Sequence, residues 1–180
     1  MKSLLGKIWR PVYAQIDLKN CTFKLQDGDT PPNYIEVKIG QGNLTYSEKV
    51  DRQYVPDRGL LDQVRNGDEQ PMDVNFDFTW EYLTGSSTSG SLPTVEDALK
   101  NKGNAADWVS TDSDSCAPFA LDIIVENLPP CTAEGDMETI TLPDFRYETV
   151  AHDFRAGTVA VTGKCNAKEA NIVRESASGH

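Results

Sequence analysis

The chain has 180 residues, of which 38% are hydrophobic, and its mean hydropathy of −0.47 is typical of a soluble, folded protein. Its 17 basic and 28 acidic residues leave a formal net charge of −11, which argues against the basic surfaces that DNA- and RNA-binding proteins use to neutralise phosphates. No apolar run approaches the roughly 18 residues that cross a bilayer, and Gly6 and Lys7 interrupt the apolar start too early for a signal peptide. We therefore expect one domain, residues 1–180, in the cytoplasm.

Alternating apolar and polar residues predict strands along much of the chain. In its first part these segments lie at 12–18, 21–27, 34–40 and 43–48. Segment 48–71 follows them, and it is rich in charged residues, proline and glycine without a clear periodicity. This segment is predicted to be a long loop, of the kind that is functional or disordered in a compact domain.

Segment 71–83, PMDVNFDFTWEYL, alternates almost without error. The apolar and aromatic set runs from Met72 to Tyr82, and the intervening positions are polar. Since alternate side chains of a strand point to opposite faces, the segment predicts one unusually long strand with an apolar face and an acidic face. The acidic face carries Asp73, Asn75, Asp77 and Glu81.

One helix is predicted, over about 94–102. Thr94 and Asp97 form a pattern that resembles a capping box, and Gly103 stands where the helix should end. Further strands are predicted at 119–127, 137–143, 145–150 and 157–166, before a tail, 171–180, that we expect to be loose. The order of elements indicates a mainly β protein, an antiparallel sandwich or barrel-like fold with one flanking helix.

No pattern of catalytic or metal-binding residues stands out. His152 and His180 are the histidines of the chain, no Gly-x-Ser-x-Gly elbow accompanies them, and no phosphate-binding glycine loop is present. The four cysteines form no Cys-x-x-Cys pair, so we expect reduced thiols and no metal site. His152 is interpreted as a turn residue before the final strand, and segments 27–29 and 112–115 as turns. We expect no catalytic residue, no cofactor and no enzyme activity.

Four separated stretches together resemble a known family. They are 50–83, the helix at 93–103, 116–126 and 140–170, the last of which contains FRYE, HDFRAG and VTGKCN. These stretches resemble the tail tube proteins (major tail proteins) of long-tailed bacteriophages. The resemblance covers most of the chain from about residue 10 to residue 174.

The resemblance implies a structural subunit. It implies a β-sandwich with a flanking helix, six copies to a ring, and rings stacked into a hollow tube through which viral DNA passes without tight binding. The implied partners are further copies, the tail tip or baseplate, and the tape-measure and terminator proteins, first in the host cytoplasm and then in the virion tail. In this family a long loop and the extended chain termini contact neighbouring subunits.

Two sets of residues acquire roles under this interpretation. Asp73, Asn75, Asp77 and Glu81 would face the lumen, where repeated negative charges repel DNA phosphates. The mixed charges of the loop would set the register between subunits or rings. The loop residues concerned are Asp51, Arg52, Asp57, Arg58, Asp62, Arg65, Asp68 and Glu69.

Three alternatives remain open. A tail terminator or completion protein with the same sandwich would form a ring of fixed size that does not stack. A carbohydrate- or host-surface-binding sandwich would display clustered aromatic side chains in loops, for which Trp108 is the candidate. A glycoside hydrolase would need two paired acids, whereas Asp73, Asp77 and Glu81 are better explained as a solvated strand face.

Overall fold

The computed structural model describes residues 20–40, 42–80, 92–127 and 137–175, with the backbone alone for Met137 and Glu175. The strand predicted at 12–18, the extended N-terminus and Glu81 lie outside these residues. Ten strands and one α-helix occur in the described ranges. The elements are β1 Cys21–Gln26, β2 Tyr34–Glu36, β3 Leu44–Ser47, β4 Val50–Asp57, β5 Leu60–Glu69, β6 Met72–Thr79, α1 Val95–Lys100, β7 Leu121–Asn127, β8 Met137–Asp153, β9 Thr158–Cys165 and β10 Asn171–Glu175.

Eight of the strands form one antiparallel sheet. Its order is β2-β1-β7-β8-β9-β6-β3, and β10 pairs with β8 beside this path. The other two strands, β4 and β5, pair with each other. The prediction of a mainly β, antiparallel fold is confirmed. Within the described ranges no helix has the length and apolar character to span a bilayer.

The strand β8 connects the two halves of the sheet. It has 17 residues, and its first part pairs with β7 on one edge and with β10 on the other, while its second part pairs with β9. We expected two strands here because Pro143 cannot donate to a ladder. The structure instead places Pro143 next to an irregularity in the β7 pairing, where Asp144 has a positive φ of 51°. A bulge tolerates a proline and bends the strand, so one strand continues through it.

The two halves pack face to face and form the core. Phe23 of β1 meets Phe76 of β6 edge to face, with 5.2 Å between ring centroids, and Phe76 lies 5.8 Å from Phe145 of β8. Alternate residues of β6, β7 and β9 are buried between the halves. This arrangement is sandwich-like, and the strand order of the described sheet does not close into a barrel.

The prediction for 71–83 was right in its alternation and wrong in its length. In β6 the buried positions are Met72, Val74, Phe76 and Phe78, but the strand ends at Thr79. Trp80 is 41% exposed and lies beyond the strand. The alternating sequence continues past the point where β6 has its last paired residue, since Thr79 faces Thr158 at the beginning of β9.

Two segments that we expected to be irregular are strands. Segment 48–71 is a β-hairpin whose turn, Arg58-Gly59, has φ values of 50° and 84°, as the tight type I′ turn requires. Part of the tail predicted to be loose is β10, which pairs with β8 over its five residues. Both were missed for one reason. Their side chains are exposed on both faces, so their apolar residues follow no two-residue period.

The predicted helix is confirmed, with one correction at its end. Thr94 accepts a hydrogen bond from Asp97 N at 3.1 Å, and the Asp97 carboxylate accepts one from Thr94 N at 3.2 Å, so the capping box is complete. The C-cap is Asn101, with a φ of 48°, and not Gly103. Asparagine tolerates this left-handed conformation. Gly103 begins the 3₁₀ turn Gly103–Ala105 that follows.

Candidate assembly surfaces

Three of the four residues predicted to face a lumen share one solvent-facing surface. We call the solvent-facing side of β6, β9 and the second part of β8 the outer face. Asp73, Asn75 and Asp77 project from it because their neighbours Met72, Val74, Phe76 and Phe78 are buried on the opposite side. The fourth predicted residue, Glu81, lies outside the described residues.

The outer face is not uniformly acidic. Asp73 forms an ion pair with Lys49 and lies opposite Lys164 of β9. The hydrogen bond from Lys49 lowers the pKa of Asp73, and the charges of Lys49 and Lys164 lower it further against a smaller opposing effect of desolvation. Lys164 in turn pairs with Glu148, 3.1 Å away. Both lysines come from elsewhere in the chain, so the strand pattern alone could not reveal them.

The middle of the outer face is neutral and its far end is acidic. Asn75 lies opposite Thr162, and Asp77 lies opposite Ala160. Asp77 forms no ion pair with any described residue, and it borders a shallow depression of about 390 Å³ that Asp153 also lines. The Asp153 carboxylate accepts the backbone N–H groups of Arg155 and Ala156, at 2.8 and 3.0 Å. Asp153 therefore stabilises a turn, and no group of three potential metal ligands occurs among the described residues.

The hairpin of β4 and β5, which we call the arm, is the second surface. Every residue of β4 and all but Gly67 of β5 are exposed. The eight charged loop residues proposed from the sequence, from Asp51 to Glu69, all lie on the arm. Within the described chain one ion pair involves them, from Glu69 to Lys168 at 4.0 Å. The charges of the arm are therefore largely available to another molecule.

The arm also displays apolar side chains that the sequence interpretation overlooked. Tyr54 pairs with Val64 and Pro56 pairs with Leu61, so these four side chains share one face. Tyr54 and Val64 are each 59% exposed, and Leu61 is 76% exposed. The signal in the sequence was Arg58-Gly59 between two short apolar pairs, 54–55 and 60–61, which is typical of a tight hairpin.

A third surface is a groove beside the helix, which we call the helix groove. Its volume is about 680 Å³, and it runs between β2, the end of β6 and the beginning of α1. Its apolar lining is Tyr34, Ile35, Phe78, Trp80, Leu92, Pro93 and Val95. Glu36, Lys38 and Glu96 add charges to it.

An aromatic cluster lies at one end of this groove. The Trp80 ring meets His152 and Phe154 edge to face, with centroid distances of 5.1 and 5.0 Å. His152, which we expected in a turn, lies in β8, and its Nε2 is 3.3 Å from a Glu96 carboxylate oxygen. The hydrogen bond from Lys100, together with that from His152, lowers the pKa of Glu96. The cluster therefore joins β8 to α1.

The aromatic side chains offer no flat surface on which a sugar ring could stack. The planes of Trp80 and Phe154 are inclined at 73°, although Phe154 is 82% exposed. Trp108, the aromatic residue named from the sequence for this role, is half-buried against the core. The carbohydrate-binding alternative thus gains no planar platform from the described residues.

The buried thiol near the bend of β8 is not a nucleophile. Burial in the core, with Asp122 and Asp144 nearby, raises the pKa of Cys165 to about 12. A thiol with such a pKa stays protonated near neutral pH, and the thiolate is the reactive form. Cys165 therefore acts as a core residue.

No protein-family model matches the chain, and no curated protein matches it. The fold is similar to that of solved structures of tail-like particles. The cap of the anti-feeding prophage, described as its tube terminating cap, is 10% identical with a TM-score of 0.56, and the alignment covers 96% of this chain and 99% of that one. This likeness shows a shared fold along nearly the whole of both chains.

Two other solved structures align with lower scores, each at 10% identity. The sheath/tube terminator of the extracellular contractile injection system PVC in its extended state has a TM-score of 0.48, with 92% of this chain and 99% of that chain covered. The anti-feeding prophage baseplate has a TM-score of 0.44, with 92% and 97% covered. These three neighbours are cap, terminator and baseplate structures, and none of them is described as a tail tube protein.

Proposed function

We propose that this chain is the terminator of a phage-tail-like tube, a non-enzymatic structural subunit whose copies form a closed ring on the end of the tube. The observation that carries the proposal is the likeness to a tube terminating cap, because it spans 96% of this chain and 99% of the cap chain. The tail terminator was one of the alternatives left open by the sequence, and this likeness favours it over the tube subunit.

Open sheet edges support association between copies. Residues 146–153 of β8 pair with β9 on one edge, and no described strand pairs with their other edge. The ends of the sheet, β2 and β3, are also edges within the described chain. Unpaired strand edges in a stable protein are usually covered, and pairing with another copy is one way to cover them.

The arm supports the same proposal. An isolated two-stranded hairpin is marginally stable in water, yet the arm here is exposed along nearly its whole length and carries four apolar side chains on one face. A partner that covers this face would stabilise the hairpin and gain binding energy from its apolar area. The charges of the arm would then select the partner and set the register.

A tube subunit is the second candidate function. It is favoured by the outer face, on which Asp73, Asn75 and Asp77 stand together as a lumen-facing set would. The two candidates differ in one respect. Terminator rings have a fixed height and bind a tube end, whereas rings of tube subunits stack on each other without limit.

Electron microscopy of the purified protein tests both candidates, beside its mass in solution from light scattering. Closed rings of one height, or a density added at one end of isolated tail tubes after mixing, are expected for a terminator. Stacks of rings that grow with concentration and time would replace it with the tube subunit. A protein that stays monomeric and leaves tube ends bare would contradict both.

A further inference from the structure

We propose that the helix groove is the receptor for the tip of the arm of a second copy of this chain. This inference rests on the proposed function, since it names the contact that would join one copy to the next in the ring. The tip of the arm consists of residues 57–61, and it contains the turn Arg58-Gly59 and the adjacent residues Leu60 and Leu61.

The tip presents apolar area that its own chain leaves exposed. Leu60 and Leu61 are 75% and 76% exposed, although they are adjacent in β5 and close to the turn. Two neighbouring leucines held in water at the end of a rigid hairpin form a small apolar knob. Contacts of this kind are stabilised when the knob enters an apolar pocket, because water is removed from both surfaces.

The helix groove has the chemistry of such a pocket. Its volume of about 680 Å³ is within the range of about 300–1,000 Å³ that is typical of binding pockets. Phe78 is buried, while Tyr34, Trp80 and Leu92 are 60%, 41% and 76% exposed. Exposed tyrosine and tryptophan side chains around an apolar pocket are typical of the residues that contribute most to protein interfaces.

The charges of the two surfaces are complementary. Arg58 lies in the turn at the tip, and Glu36 lines the groove. Both are exposed, and neither forms an ion pair with a described residue. An arginine that follows the leucines to the groove can pair with Glu36 at its rim, which would orient the tip.

The partner is a second copy because the arm is not seated in the groove of its own chain. Leu61 and Leu92 are both about three-quarters exposed in the same molecule. Strands of eight and ten residues extend roughly 26 and 33 Å at about 3.3 Å per residue, which is long enough to cross to a neighbour. A knob and a receptor at two different places on one chain make a head-to-tail contact, and such contacts form a ring when the rotation closes.

Cross-linking between two single-cysteine variants tests the contact. In a background with Cys116→Ser and Cys131→Ser, a Leu61→Cys protein is mixed with a Leu92→Cys protein and oxidised mildly. We expect a disulfide-linked dimer whose digestion yields a peptide joining positions 61 and 92. The control pair combines Leu61→Cys with Asp29→Cys, an exposed turn position outside the groove, and it should cross-link at least ten-fold less.

A charge exchange provides the second measurement. Arg58→Glu should reduce the yield of the 61–92 link at least ten-fold, and adding Glu36→Arg to the groove partner should restore it. A yield equal to that of the control pair, or an Arg58→Glu variant without effect, would overturn the proposal. A 61–92 link formed within one chain, in a double-cysteine variant at high dilution, would overturn it as well.

These outcomes separate the inference from the proposed function. Rings or capped tubes without a 61–92 link would leave the terminator function in place and exclude the groove as the receptor. A protein that caps tubes as a monomer would have the same meaning. Absence of rings, capping and the link together would contradict both.

Discussion

Asp27, at the end of β1, is the buried charged side chain of the described core, with 2% of its surface exposed. Its carboxylate accepts hydrogen bonds from Asn33 N at 2.7 Å and Asn33 Nδ2 at 2.9 Å, and from Asp29 N and Val109 N at 3.3 Å. Segment 27–29 was interpreted as a turn and not a cation loop. The hydrogen bonds explain the turn, since one carboxylate organises 27–33 and attaches it to the segment after the helix.

We expect Asp27→Ala to lower the free energy of unfolding by about 3–5 kcal/mol, because several buried donors would lose their acceptor at once. Urea unfolding followed by tryptophan fluorescence measures the change. Asp29→Ala is the matched control, since Asp29 is exposed and should cost less than about 1 kcal/mol. Equal losses in the two variants would show that the hydrogen bonds of Asp27 contribute little.

Asp122 introduces a pH dependence. Burial raises its pKa above the ordinary value of 3.8, although its carboxylate accepts a hydrogen bond from Asp144 N at 3.0 Å. Because the pKa is higher in the folded state than in the unfolded state, the folded state holds its proton more tightly. The contribution of Asp122 to stability is therefore fully present below pH 3.8 and declines as the pH rises through the raised value.

Asp122→Asn should remove this decline, because asparagine keeps an acceptor oxygen without a charge. We expect the stability of the variant relative to the natural protein to increase from pH 4 to pH 7, as measured by urea unfolding at each pH. The increase should be absent in Asp107→Asn, which changes an exposed acid. A relative stability that falls or stays constant over this range would be inconsistent with a raised pKa.

At the scale of the elements, the contact between β8 and β9 depends on Gly163. A Cβ atom added there would lie 2.2 Å from the Arg146 carbonyl oxygen and 2.7 Å from the Phe145 ring. Since the nearest atom belongs to the backbone of β8, the strands would have to separate. We expect Gly163→Ala to cost about 2–4 kcal/mol in urea unfolding.

Gly157→Ala is the control for this substitution, because its φ of 66° strains an alanine while no atom lies within 4 Å of the added Cβ. It should cost about 1 kcal/mol. A loss at Gly163 no larger than the loss at Gly157 would mean that β8 and β9 adjust easily.

The arm makes the clearest prediction about an element. The double variant Tyr54→Lys, Val64→Lys should leave the unfolding of the monomer unchanged within about 0.5 kcal/mol, because both side chains are exposed. It should abolish ring formation or tube capping, since two charges would be placed on the apolar face of the arm. Electron microscopy and light scattering measure the assembly.

Gln53→Lys, Gln63→Lys is the matched control for the arm. It adds the same charge to the opposite face, where Gln53 pairs with Arg65 and Val55 pairs with Gln63. Assembly should survive in this variant. Loss of assembly in both variants would mean that net charge, and not the apolar face, governs the association.

At the scale of the whole molecule, the outer face is proposed to line the lumen of a ring. Asp77 is the acid on which this hypothesis depends most, because Lys49 and Lys164 partly neutralise Asp73. If DNA passes this surface, Asp77→Lys should leave rings and tails intact and slow DNA ejection, since one cation per subunit would attract phosphates. Ejection followed by fluorescence of a DNA dye measures the rate.

Asp29→Lys gives the same change of charge at an exposed turn away from the outer face. Ejection from these particles should be normal. Equal rates for the two variants would show that the outer face does not line the DNA path, whatever the assembly state of the protein.

Local pattern accounts for most of what the sequence predicted. The alternation of apolar residues located β1, β6, β7 and β9, because each has one face in the core. Thr94 and Asp97 located the beginning of α1, because a capping box is formed by residues three positions apart. The arm escaped prediction because neither of its faces is buried, and β8 was divided because a proline normally ends a strand.

The sequence by itself determined which residues of a strand share a face, and so it placed Asp73, Asn75 and Asp77 together. That relation depends only on the two-residue period of an extended backbone. The tertiary structure decided what lies beside them: Lys49 and Lys164 neutralise one end, and Ala160 and Thr162 leave the middle uncharged. It also brought Trp80, His152 and Glu96 together beside one groove. Such neighbours depend on strand order and register, which arise from packing between segments far apart in the chain.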